Sequence, residues 1–173
     1  MKIRKMTVTA FLVALAIIFH YIESFIPAII PGFHLGLANV VSLFALFYLG
    51  WSYYVSILFL RVILVGLMFT GFGTTFMLSL GGAILSSSVS LLLFFFTKTS
   101  IYGVSAVSAF AHVLGQIVVY IWIVNTAYML LYLPLLSALG IASGLVLAYL
   151  TAHIIKVLPN FDNMQEVRRR NRR

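Results

Sequence analysis

The chain has 173 residues, 63% of them hydrophobic and only 8% charged, with a formal net charge of +8. Soluble domains run about 45–50% apolar and about 25% charged, so a water-soluble globule is excluded. Cysteine is absent, which excludes disulfides and thiolate metal sites, and five of the eleven basic residues crowd into the last six positions, a tail that suits anionic lipid and not nucleic acid.

Met1-Lys2-Ile3-Arg4-Lys5 leads into an apolar run. That run, Met6 to Ile22, is longer than the core of a signal peptide and lacks a small-x-small cleavage site. It reads as a retained first span, about Met6 to Ile26, stopped by Pro27 and Pro31. A short second span is expected from about Leu35 to Leu49, with Gly50 as its C-cap. Trp51, Tyr53 and Tyr54 suit an interfacial aromatic belt. The third span runs from about Ser52 to Phe69 and turns at Gly71-Phe72-Gly73. The fourth runs from about Thr75 to Phe96, ahead of Lys98, and the fifth from about Ile101 to Val124. Asn125 to Leu133 is apolar but too short to cross, and is expected to link helices at the interface. The sixth span begins near Pro134 and ends near Leu158-Pro159. Residues 1–159 thus read as one transmembrane domain and residues 160–173 as a basic cytoplasmic tail.

Charge orients the bundle. With the N-terminus inside, ten of the eleven basic residues fall on inner segments and the outer loops carry none. An even number of spans is required, and four would leave apolar stretches unassigned. The expected fold is all-α and integral to the membrane, a bundle of six transmembrane helices with both termini cytoplasmic.

Small residues recur at helical spacing. Ser79, Gly82, Ser86 and Ser90 run down the fourth span, and Gly140, Gly144 and Ala148 down the sixth. Such stripes let helix backbones approach closely in lipid. Ala10 and Ala14 lie one turn apart on the first span, a face for internal packing or for a partner.

Polar groups at membrane depth carry the functional signal. Arg61 falls near the middle of the third span, where a charge costs about 2.5–3.5 kcal/mol and needs a counter-charge, water or a ligand. Glu23, the only acid in a span, is one candidate partner; the other is an anionic substrate in a polar cavity. Ser105, Ser108, His112, Gln116 and Tyr120 share one face of the fifth span, where His112 and Gln116 can bond a ligand or a neighbouring helix. His34 to Asn39 leads into the second span, either as a lid over an outward-facing site or as an ordinary turn. The sequence has no Walker A loop, Asp-rich diphosphate motif, Ser/His/Asp set or metal-ligand spacing. No catalytic residue, cofactor or metal is expected.

The run Pro31-Gly32-Phe33-His34-Leu35-Gly36-Leu37-Ala38-Asn39 resembles the first-loop signature of a known family. Leu60-Arg61-Val62, the stretch from Gly71 to Gly82, and Ala111-His112-Val113-Leu114-Gly115-Gln116 resemble it too. The family is the Gx transporter family, also labelled heptaprenyl diphosphate synthase component I. It is similar to the substrate-binding S components of energy-coupling factor (ECF) importers. The resemblance covers about residues 5–158 and implies an S-component fold in a bacterial plasma membrane, with a substrate pocket under the first loop. It implies that Ala10 and Ala14 meet a transmembrane coupling subunit driven by two ATPases. The substrate would be a small anionic, largely apolar metabolite: a vitamin, or an isoprenoid or quinone precursor. Arg61 would neutralise it, with His112, Gln116, Asn39, His34 and Glu23 around it. The label also offers a second role, as membrane anchor or regulator of a prenyl diphosphate synthase. His34 stands where the family usually has lysine, so the loop's charge depends on pH.

Overall fold

The computed structural model describes residues 2–25 and 38–157. Among the described residues 91% are helical and none lies in a strand. Six helices follow in order. Helix α1 spans Lys2–Ser24, and α2 is α-helical over Ala38–Phe44 before closing in a π-helical turn over Ala45–Leu49. Helix α3 spans Trp51–Val65 and also ends in a π-helical turn, Gly66–Thr70. Helix α4 is Thr74–Phe96 and α5 is Ile101–Val124. A 3-10 turn, Tyr128–Tyr132, leads into α6, Leu133–Val157.

Four of these stretches are long and apolar enough to cross a membrane: Trp51–Thr70, Thr74–Phe96, Ile101–Val124 and Tyr128–Val157. The apolar parts of the other two helices, Met6–Ile22 and Asn39–Leu49, are shorter. The second helix ends at Leu49, just before Gly50, as expected; it is described from Ala38 onward, and its twelve described residues rise about 18 Å at 1.5 Å per residue. The expected link after α5 is present as the 3-10 turn.

Helices α2 and α3 form a hairpin about Gly50, whose φ of +107° is a conformation that glycine adopts without strain. Leu12, Val13 and Ala16 of α1 pack against Val41, Ala45 and Leu49 of α2 and Ile57 of α3. Helices α4, α5 and α6 pack together through glycines. A Cβ added at Gly115 of α5 would stand 2.6 Å from the Gly81 carbonyl oxygen of α4. One added at Gly144 of α6 would stand 3.1 Å from the Ala109 Cβ. The small-residue stripes of the fourth and sixth spans therefore do pack helix on helix. Leu43 and Leu46 of α2, Leu58 and Val62 of α3, Ala83, Val104 and Ala148 then join the two groups of helices in one buried cluster.

Candidate functional site

A cavity of about 60 Å³ lies where the helices meet. All helices but α1 line it, taking the described residues. Helix α2 brings Asn39 and Ser42, α3 brings Tyr54, α4 brings Ser86 and Ser90, α5 brings Ser105, Ser108 and His112, and α6 brings Ser143. The wall carries several hydroxyls although the helices are apolar, because each of the five contributes one to three polar residues.

The polar face of the fifth span divides. Ser105, Ser108 and His112 line the cavity, while Gln116 and Tyr120, one and two turns beyond His112, do not. The imidazole of His112 fits because Gly82 lies opposite: a Cβ there would meet its ring at 2.7 Å. The His112 Nδ1 is 3.5 Å from the Ser86 Oγ, at the long limit of a hydrogen bond. Ser105 donates to the Gly144 carbonyl at 2.7 Å, fastening α5 to α6. The Tyr54 hydroxyl bonds to Ser90, which joins the α3 wall to the α4 wall.

Arg61 is buried, 8% exposed, and one N–H of its guanidinium donates to Asn39 Oδ1 at 3.0 Å. Arg61 is not itself among the lining residues; Asn39 stands between it and the cavity. Arginine only donates, so this bond fixes the amide of Asn39 with oxygen toward Arg61 and leaves its –NH₂ to donate elsewhere. Asn39 and Arg61 stand eleven residues either side of Gly50, so the hairpin brings them to one depth, about 16 Å from the turn.

His34, the side chain of Glu23 and the basic tail lie outside what is described, and with them the expected Glu23–Arg61 pair. Ala10 and Ala14 are exposed on α1, on the face that also shows Phe11, Ile18 and Tyr21. Among the described residues no three His, Cys, Asp or Glu side chains gather into a metal site.

Two wall residues, Ser42 and Ser143, escaped sequence reasoning, and Tyr54, expected in an interfacial aromatic belt, is instead buried in the wall. None of the three belongs to a repeating polar face of the kind that marks α5. Ser86 and Ser90 were visible, but as packing residues. Ser42 is distinctive. It is 2% exposed, and its hydroxyl has no hydrogen-bond partner. Such a group costs about 1–3 kcal/mol when buried, so its place in a cavity wall is unusual.

The fold and cavity define a multi-pass α-helical membrane protein with a small cavity between its helices, lined by apolar surface and several polar side chains. The chain belongs to the heptaprenyl diphosphate synthase component I family, which matches residues 12–154, most of its length. That family is not itself the catalytic subunit of the synthase, and the chain is accordingly not an enzyme on its own. No curated protein and no solved structure matches it.

Proposed function

We propose that this protein is a ligand-capturing membrane subunit, the substrate-binding component of an ECF-type importer. The observation that carries the reading is the chamber itself, to which five apolar helices bring polar side chains, among them a buried, unpartnered Ser42. Polar groups inside a bilayer are expensive, and they mark substrate pathways. Arg61, reaching the wall through Asn39, would meet any acidic group of the ligand, and His112 would orient it. The exposed Ala10–Ala14 face would dock a coupling subunit, with α1 crossing the membrane, both termini in the cytoplasm and lipid covering the remaining apolar faces.

The test is to purify the full chain from its native membrane and identify small molecules released on denaturation by mass spectrometry. A stoichiometric metabolite is expected, lost from an Arg61→Ala variant. A native protein that releases none, or a variant that releases as much, defeats the reading.

The family description favours a second reading, a membrane subunit that anchors or regulates a prenyl diphosphate synthase. Co-purification separates the two. A coupling subunit with ATPases supports the importer, whereas a soluble prenyl synthase supports the anchor.

A further inference from the structure

The chain passes only once between two groups of helices. Helices α1, α2 and α3 form one group, closed by the buried cluster around Leu12, Val41, Leu49 and Ile57 and by the bond from Arg61 to Asn39. Helices α4, α5 and α6 form the other, where Gly81 meets Gly115 and Ser105 donates to the Gly144 carbonyl at 2.7 Å. Helix α4 lies along α5, yet α3 and α4 touch at few points although only the turn Gly71-Phe72-Gly73 separates them. Across the seam the groups are joined by the side-chain cluster around Leu43, Leu46 and Leu58, and among the described residues no glycine meets a glycine there. The cavity lies in this seam, with Asn39, Ser42 and Tyr54 on one side and Ser90, His112 and Ser143 on the other.

The two ends of the seam differ. At one end is the joining turn. Gly71 has a φ of +63°, and a Cβ added at Gly71 or Gly73 would meet nothing within 4 Å, so no packing holds the turn in place. Short segments of this kind absorb hinge rotations. At the other end, beside Lys98, the groups are closed by ring edges. Phe47 of α2 meets Phe94 of α4 with centroids 5.8 Å apart and planes at 87°. Trp51 of α3 meets Phe95 of α4 at 6.2 Å and 65°. Lipid can replace such ring contacts, so they close the seam reversibly. The chamber lies toward this end: Ser86 and Ser90 stand in the second half of α4, and Ser105, Ser108 and His112 in the first half of α5. We propose that the chamber opens at the Lys98 end, by α1, α2 and α3 swinging against α4, α5 and α6 about the Gly71–Gly73 turn, with the Phe47–Phe94 and Trp51–Phe95 pairs as the clasp. The motion follows from packing and holds for either function proposed above.

Because the chain has no cysteine, the motion can be measured with pairs of spin labels on the full chain in lipid nanodiscs. Ser52→Cys with Phe96→Cys reports the clasp end, and Leu67→Cys with Met77→Cys the hinge end; all four positions are exposed. Distances within each pair are taken by double electron–electron resonance, with and without Phe94→Leu/Phe95→Leu, which keeps the helix apolar and removes the ring edges. The clasp-end pair is expected to show a longer-distance component that grows several-fold in the leucine variant, while the hinge-end pair stays unchanged. Phe47→Leu/Trp51→Leu removes the same contacts from the other side and should reproduce this. In proteoliposomes, a single Ser108→Cys in the chamber wall should react several-fold faster with a charged methanethiosulfonate in the leucine variant, from the Lys98 side only. Clasp-end distances that are the same with and without the rings, lengthening at both ends alike, or a Ser108→Cys that reacts no faster from the Lys98 side, overturns the proposal.

Discussion

Arg61 and Asn39 show how one hydrogen bond organises this chamber. The guanidinium has no acceptor to offer, so Asn39 must turn its oxygen toward it, and the rest of the amide follows. Removing the amide by Asn39→Ala takes away a charge-assisted bond from a buried cation. Such bonds are worth about 1.5–3 kcal/mol, and a clear drop in melting temperature is expected in detergent or nanodiscs. Asn39→Asp should restore most of that loss, since a carboxylate also accepts from arginine. If Asn39→Ala melts with the native protein, the bond contributes nothing and the fixed amide has no basis. Gly82 acts by what it lacks. Its missing side chain is the space in which the His112 ring lies, so position 82 belongs to the site as much as position 112 does.

At the scale of the helix, approach distance decides. Helices α4 and α5 touch backbone to backbone at Gly81 and Gly115, where a single methyl would collide with a carbonyl. Overpacking of this kind costs about 1–3 kcal/mol or more, so Gly115→Ala should lower thermal stability and part the two walls that carry Ser86 and His112. Altered backbone amide shifts along both helices would report the parting; unchanged shifts would show that the contact yields easily. Helices α3 to α6 could be read from the sequence almost to the residue, because Gly50, the Gly71–Gly73 turn, Lys98, Asn125 and Pro134 punctuate them. Of helix α2, the end at Leu49 was legible in the same way, because Gly50 marks it. The two π-helical turns, Ala45–Leu49 and Gly66–Thr70, were not anticipated from the sequence. The chamber was half legible for a related reason. Serines and a histidine repeating on α5 announce a polar face, whereas Ser42, Tyr54 and Ser143 become neighbours only when five helices converge.

For the whole molecule, absence of cysteine makes topology directly measurable. Lys98→Cys should react with a membrane-impermeant maleimide only in inside-out vesicles, and Asn125→Cys only in right-side-out ones. Both residues are exposed and lie at opposite ends of α4 and α5. The reverse pattern would invert the proposed orientation. Helix α1 stands apart from this arrangement: its described side chains form no part of the chamber, yet it displays Ala10 and Ala14 outward. Its inner face grips Val41, and the next residue along α2 is Ser42. A partner that docked on α1, as proposed above, would therefore reach the chamber at second hand, as a lever does, with α2 as the arm and the chamber at its far end.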